Sequence, residues 1–313
     1  QGAGHELGVT LVQHPITQAV AFTGSLRGGR ALFDVANARK EPIPFYAEMG
    51  SINPVFVLPG AAAERGASIA EQFVQSVGLG VGQFCTNPGM LIGLKSEFLD
   101  DLTQKTADAA EAAGPATMLH QGIAETYNEG LDKIKSIEGV KTCGASSVAS
   151  DAAKNQAACH IFEANLDTLF DHPELKEENF GPSSVILKAD SAEQLELAAE
   201  GLEGQLTATI HGTEDDLQKH GKLIRILERK VGRLIFNGFP TGIEVCPSMH
   251  HGGPYPAATH GFFTSIGTAS ILRFVRPLCY QNFPDAGLPV ELRNKNKRGI
   301  LRLVDNAWTR DDI

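Results

Sequence analysis

The sequence lacks the features of several common protein classes. Its 313 residues carry a formal net charge of −10, so it does not have the basic surface that nucleic acids and acidic membranes require. No apolar run approaches the length of a membrane span. Internal repeats and low-complexity segments are also missing. We therefore predict an ordinary globular protein with no nucleic-acid or membrane partner.

Cysteine is sparse and scattered. The five cysteines show no C-x-x-C spacing; they are Cys85, Cys143, Cys159, Cys246 and Cys279. This pattern argues against a disulfide framework and indicates a reducing compartment, so we expect a cytoplasmic location. The adjacent His250 and His251 have no cysteine or carboxylate at helical ligand spacing, and we predict no metal site.

Short apolar segments alternate with helical ones along most of the chain, which favours an α/β fold with a mainly parallel sheet. Ser68 and Ser191 each begin a capping-box pattern and are predicted to start helices, as is Ser96. The tail from Gly299 to Val304 alternates like an edge strand that could pair with another chain. The predicted strands are Ala19–Phe22, Pro54–Leu58, Met90–Leu94, Ala158–Glu163, Ser184–Leu187, Leu206–Ile210 and Leu234–Asn237.

Cys85 is the first candidate for chemistry, because it follows a glycine-rich run that includes Gly80 and Gly82. A thiol in such a turn can act as a nucleophile whose own backbone N–H stabilises the resulting oxyanion. The alternative is a buried cysteine that packs as a small apolar residue.

Two further segments offer complementary groups. Gly24 and Ser25 follow a strand and precede a helix, an arrangement suited to a phosphate at the helix N-terminus, although such a turn can be only a turn. Glu48 stands among apolar residues, where a carboxylate can serve as a general base. The alternative for Glu48 is a structural ion pair.

Taken together, four motifs in order resemble the aldehyde dehydrogenase superfamily. They are Phe22–Ser25 with Gly29, Ala47–Gly50, Gly82–Cys85 and Glu178–Pro182. The resemblance covers nearly the whole chain and implies a three-layer αβα fold. It is closest to the branch of 2-oxoglutarate-semialdehyde dehydrogenases and an NADP-dependent fatty aldehyde dehydrogenase.

The resemblance implies NAD(P)-dependent oxidation of an aldehyde through a Cys85 thiohemiacetal and thioester, with 2-oxoglutarate semialdehyde as the expected substrate. Cys85 and Glu48 would be catalytic, and His251 would tune the protonation of Cys85 or an esterase side reaction. The other implied contacts are Phe84 with substrate, and Gly24, Ser25, Gly29, Gly50, Glu178 and Phe180 with NADP or NAD.

The resemblance also implies a domain division. Residues 1–50 would be a remnant of the dinucleotide-binding domain, residues 51–255 the catalytic domain, and residues 256–313 a segment returning to the cofactor domain with an oligomer-contact tail. We expect a homodimer or homotetramer. We also expect residues 1–313 to need an N-terminal part that holds the adenosine and an oxyanion-hole asparagine, and not to turn over aldehyde alone.

Two other classes stay open. One is an esterase or acyltransferase that uses Cys85 with His251 and no redox step. The other is a non-catalytic fragment of the same fold.

Overall fold

A computed structural model describes residues 5–313. The chain divides into two compact units, one ending at Arg273 and the other running from Phe274 to Ile313. None of the helices in the described range is long and apolar enough to cross a membrane. The α-helices are α1 Glu6–Gln13, α2 Leu26–Asn37, α3 Pro59–Gly78, α4 Glu97–Ala112, α5 Gln121–Ser136, α6 Leu166–Asp171, α7 Ala192–Glu200, α8 Glu214–Lys219 and α9 Gly221–Leu227.

The described strands of the first unit form one large sheet and two small ones. They are β1 Val20–Thr23, β2 Phe45–Glu48, β3 Val55–Val57, β4 Met90–Leu94, β5 Ala116–Thr117, β6 Lys141–Ala145, β7 Gln156–Ala157, β8 His160–Asn165, β9 Ser183–Ala189, β10 Gln205–His211 and β11 Val231–Phe236. In the large sheet the order is β11-β10-β3-β4-β9-β8-β6, and every neighbouring pair is parallel except β6 with β8. The small sheets pair β1 with β2 and β5 with β7.

Helices cover both faces of the large sheet, because its central strands are apolar on both sides. Successive residues of a strand point to opposite faces. Accordingly, Val55 and Val57 join one buried cluster with α3 and α4, whereas Phe56 packs in a second cluster with α5, α7 and α9. The three-layer αβα prediction with a mainly parallel sheet is confirmed.

The predicted helix start at Ser68 is wrong. Helix α3 begins at Pro59. Proline has no backbone N–H, but the first turn of a helix makes no use of that donor and therefore tolerates proline. The Asp216 side chain accepts hydrogen bonds from the backbone N–H groups of Gly60 and Ala61, so another element caps this helix. Ser68 lies inside α3, where its hydroxyl accepts a hydrogen bond from Gln72.

The other two serine predictions have different outcomes. Ser96 caps α4 by accepting a hydrogen bond from the Leu99 N–H, as expected. Ser191 caps α7 through the Gln194 N–H, but the Gln194 side chain accepts from the Asp190 N–H instead of completing the box.

The second unit contains a hairpin between β12 Arg302–Val304 and β13 Ala307–Thr309. Asp305 and Asn306 both have positive φ, which suits a two-residue turn of type I′. The predicted edge strand therefore pairs with its own chain.

His211 is a buried histidine at the end of β10. Its ring packs against that of Phe239 at a tilt of 43° with centroids 4.7 Å apart, and neither ring nitrogen has a hydrogen-bond partner among the described residues. Burial, together with the charge of Arg65, lowers the pKa of His211 to about 4. The imidazole is therefore held neutral in the folded protein.

We expect acid to destabilise the protein through His211. In the unfolded chain its pKa is about 6.5, so as pH falls from that value towards about 4 the unfolded state binds the proton first. The free energy of unfolding should then decrease by up to about 3 kcal/mol. Urea unfolding of wild type, His211→Leu and the exposed-site control His14→Gln across this range measures the effect. An unchanged pH slope in His211→Leu would contradict it.

Candidate active site

The candidate site lies at the edge of the large sheet where its parallel strands begin. Residues 48–53 precede β3, residues 82–89 precede β4, and residues 178–182 precede β9. Because β3, β4 and β9 run in the same direction, these three segments meet at one end of the sheet. The topology therefore brings three of the four sequence motifs together.

Cys85, His251 and Glu48 form the centre of the site. His251 Nε2 lies 3.2 Å from Cys85 Sγ and 3.1 Å from Glu48 Oε1. Glu48 and His251 are buried, and Cys85 is half-buried. The structure thus places the predicted nucleophile, base and histidine in direct contact, although Cys85 and His251 are 166 residues apart in sequence.

Buried amides hold the backbone around Cys85. The Asn53 side chain donates hydrogen bonds to the carbonyls of Ser51, Cys85 and Asn87, each at 3.0 Å. Gln205 Oε1 in turn accepts from the Asn53 backbone N–H. Both amide side chains are buried. The position of the thiol therefore depends on the segment that precedes β3 as well as on its own loop.

The thiol is protonated in this arrangement. Burial first, and then the neighbouring Glu48 carboxylate, raises the pKa of Cys85 to about 12. For Glu48 itself burial would raise the pKa, but hydrogen bonds from His251 and Ser265 outweigh burial and keep the pKa below its usual value. The site therefore holds a carboxylate beside an uncharged thiol.

A loop around residue 265 fixes Glu48 and His251. Ser265 Oγ donates a short hydrogen bond to Glu48 Oε2, so both carboxylate oxygens have a partner. The His251 carbonyl accepts from the Ser265 N–H at 2.7 Å, and the His251 N–H donates to Thr264 Oγ1 at 2.9 Å. This loop orients the carboxylate towards the histidine.

The nucleophile loop also contacts the segment that contains Glu178. Gly82 has φ +66°, and a Cβ there would lie 2.2 Å from the carbonyl carbon of Gly181. Only glycine fits this position, both for its left-handed backbone and for the close approach.

Glu178 and Phe180 line a small pocket with Ser51 and Asn87. Much of Glu178 is exposed, but its carboxylate accepts from the Ser51 N–H and lies so close to Gly50 that a Cβ there would be 2.8 Å from Oε2. Desolvation raises the pKa of Glu178 above its usual range. Because part of the side chain is exposed, screening by solvent reduces the size of this shift.

The predicted phosphate turn lies between β1 and α2. Ser25 Oγ accepts from the Gly28 N–H and caps α2, and the Gly24 N–H donates to the Glu48 carbonyl. A Cβ on Gly29 would lie 2.6 Å from Met49 Sδ, so this helix start packs directly on the residue after Glu48. Phe84, the predicted substrate contact, is 39% exposed and its ring lies against Gly80.

Three residues of the site were not predicted from the sequence: Asn53, Gln205 and Ser265. The Asn53-Pro54 dipeptide was a usable signal, since asparagine tolerates the positive φ found here and the pair marks a turn. Gln205 and Ser265 carry no local signal. They become visible only when distant segments meet.

Comparison with known proteins agrees with the motifs. The profile of the aldehyde dehydrogenase family matches residues 1–254. The alpha-ketoglutaric semialdehyde dehydrogenase of Acinetobacter baylyi is 45% identical over 309 residues, and alpha-ketoglutaric semialdehyde dehydrogenase 2 of Azospirillum brasilense is 46% identical over 304 residues. These matches cover 98% and 97% of this chain but 58% of each relative, so the chain spans little more than half their length.

Solved structures show the same fold at lower identity. Gamma-glutamyl-gamma-aminobutyraldehyde dehydrogenase from Burkholderia cenocepacia matches with a TM-score of 0.69 and 18% identity, covering 85% of this chain and 52% of that one. Indole-3-acetaldehyde dehydrogenase in complex with NAD⁺ matches with a TM-score of 0.72 and 19% identity, covering 87% and 54%.

Proposed function

The chain belongs to the aldehyde dehydrogenase family, and from that membership we propose that the protein oxidises an aldehyde to a carboxylic acid with NAD or NADP. The observation that carries the proposal is the contact of Cys85 with His251 and of His251 with Glu48. These groups can supply a nucleophile, a proton acceptor and a base for water within one site.

In the first step Cys85 Sγ bonds to the aldehyde carbon. The thiol must lose its proton, and His251 Nε2, which lies 3.2 Å from Cys85 Sγ, can receive it in the tautomer that leaves this nitrogen without a hydrogen. We assign the stabilisation of the oxyanion to the Cys85 backbone N–H, as predicted from the sequence. The product is a thiohemiacetal on Cys85.

In the last step the thioester on Cys85 is hydrolysed. We assign the activation of water to Glu48, whose lowered pKa keeps it ionised and able to accept a proton. Each Glu48 oxygen has one partner and a second lone pair, so the carboxylate can still accept a hydrogen bond from the water. Hydrolysis releases the carboxylic acid and restores the thiol.

The residues present fit a nicotinamide dinucleotide. The start of α2 offers the unpaired N–H groups of a first helical turn to a phosphate, and Gly24 and Ser25 shape that turn. Glu178, with Gly50 and Phe180 beside it, would hold the nicotinamide end. The oxidation itself is the chemistry that the cofactor supplies when bound.

We propose 2-oxoglutarate semialdehyde as the substrate and 2-oxoglutarate as the product. The support is the identity of 45% and 46% to two relatives named for this semialdehyde. Cytoplasmic location, assembly as a homodimer or homotetramer, a requirement for a further N-terminal part and the division at residues 50 and 255 remain predictions from the sequence and its resemblance.

The esterase alternative is less well supported by the geometry. In a Cys-His-carboxylate relay the two ring nitrogens bind different groups. Here Nε2 faces both Cys85 Sγ and Glu48 Oε1. This nitrogen can carry one hydrogen, so it either donates to the carboxylate or accepts from the thiol.

One assay separates the three functions. The purified full-length protein is mixed with NAD or NADP and either 2-oxoglutarate semialdehyde or a simple aliphatic aldehyde, and the absorbance of reduced nicotinamide is followed. The proposal predicts reduction that depends on aldehyde. Turnover of an activated ester without any reduction would favour the esterase, and no turnover of either substrate would favour a non-catalytic chain.

Ser265 provides a test of how Glu48 is held. We expect Ser265→Ala to slow steady-state turnover by roughly tenfold or more, since a hydrogen bond to a charged group contributes about 1.5–3 kcal/mol. Ser265→Thr keeps the hydroxyl and should retain most of the activity. Rapid mixing should show that the first turnover is affected much less. Equal loss in the Ala and Thr variants would contradict this role.

A further inference from the structure

The three central side chains also have the chemistry of a metal site. A thiol, an imidazole and a carboxylate are all ligands of Zn²⁺ in proteins. One donor atom from each of Cys85, His251 and Glu48 lies within 4.8 Å of the other two. Sequence spacing could not reveal this group, because its members come from three distant segments.

Two of the three separations are close to those of tetrahedral zinc. Bonds of about 2.3 Å to sulfur and about 2.0–2.2 Å to nitrogen and oxygen place neighbouring donor atoms roughly 3.3–3.6 Å apart. The observed distances from His251 Nε2 are 3.2 Å to sulfur and 3.1 Å to oxygen, and the sulfur and the carboxylate oxygen lie within 4.8 Å of each other. Small adjustments of the three side chains would therefore admit the ion at the centre.

Electrostatics favour a cation at this point. The Glu48 carboxylate is buried, and the two groups around it, the His251 ring and the Cys85 thiol, are enclosed with it. A divalent cation would neutralise the carboxylate and a thiolate together, with the Cys85 proton released to solvent.

The surroundings already orient the donors. Ser265 holds Glu48 Oε2, which leaves Oε1 facing the histidine. The Asn53 side chain holds the carbonyl of Cys85 at 3.0 Å. Such supporting contacts are typical of residues that bind metals through a preformed geometry.

We propose that Cys85, His251 and Glu48 bind Zn²⁺ as three protein ligands with a fourth position open, and that the ion reversibly blocks the nucleophile. This differs from the sequence prediction of no metal site and does not depend on which substrate the protein uses. Bound zinc takes up one sulfur lone pair and withdraws charge from the sulfur, so the reaction of Cys85 with an electrophile is slowed.

The test measures the thiol directly. The purified protein is treated with iodoacetamide with and without ZnCl₂, and alkylation of each cysteine is quantified by mass spectrometry. We expect zinc to slow alkylation of Cys85 at least tenfold, excess EDTA to restore it, and the exposed Cys279 to be unaffected. With Co²⁺ in place of zinc, a thiolate-to-cobalt charge-transfer band should appear.

Variants distinguish zinc that is bound by all three residues from zinc that is bound by the Cys85 sulfur alone. We expect His251→Asn and Glu48→Gln each to raise the zinc concentration needed for half-protection by tenfold or more, whereas His250→Asn, a change at the adjacent half-buried histidine, should leave it unchanged. Circular dichroism checks that each variant is folded. Equal protection in wild type and His251→Asn, or no protection in wild type, would overturn the proposal.

Discussion

Replacing Cys85 with alanine is expected to abolish aldehyde-dependent reduction of the cofactor while the fold persists. Loss of an enzyme nucleophile can cost on the order of 10⁶ in rate. Neither His251 nor Glu48, the two groups in contact around the thiol, can form the thioester in its place. Cys85 is half-buried and its backbone is held through Asn53, so removing its sulfur should disturb packing little.

The control is Cys246→Ala. Cys246 Sγ contacts Ser248 Oγ at 3.3 Å and lies outside the catalytic trio, so this variant should keep wild-type turnover. Both variants are compared by reduced-nicotinamide absorbance and by thermal unfolding. Aldehyde-dependent reduction that survives in Cys85→Ala at more than a trace would refute the assignment of the nucleophile.

Replacing Glu48 with glutamine should separate the two halves of the reaction. The amide can still accept a hydrogen bond from Ser265, but it cannot take a proton from water. Loss of a general base typically slows its step by about 10²–10⁴. We therefore expect hydrolysis of the thioester to become rate-limiting while the first turnover survives.

Rapid mixing with an aldehyde reveals this as a burst of reduced cofactor followed by a slow steady state. Glu71→Gln, a change of an exposed carboxylate on α3, serves as the control and should behave as wild type. If the burst disappears together with the steady state, Glu48 acts on the thiol and not on water.

The sequence was most informative where a local pattern determines the structure. The strand Met90–Leu94 was predicted with its observed bounds. A short apolar run between turns is typical of a fully buried strand in an α/β fold. The start of α3 was missed because it depends on Asp216, which is 156 residues from Gly60. Strand β6 was missed because Lys141–Ala145 is a polar edge strand with no apolar run.

The same distinction applies to the site. Cys85 and Glu48 stand in motifs that can be recognised locally. Their contact through His251 could not be deduced, because chain spacing says nothing about where a loop 166 residues away will lie. Asn53 was signalled only as a turn residue and Gln205 not at all, and their support of the nucleophile becomes visible only in their burial and hydrogen bonds.

The long separation between Ser265 and Glu48 has a consequence for biosynthesis. The two residues are 217 positions apart, and the ribosome adds about 5–20 residues per second, so on the order of 10–40 seconds pass between them. For the part of this interval that separates Cys85 from His251, 166 residues later, a nascent chain carries the thiol without the histidine that later contacts it. Contacts of such high sequence separation also form late in folding, because the intervening chain must be ordered first. The rate at which an alkylating reagent modifies Cys85 therefore also reports whether folding is complete.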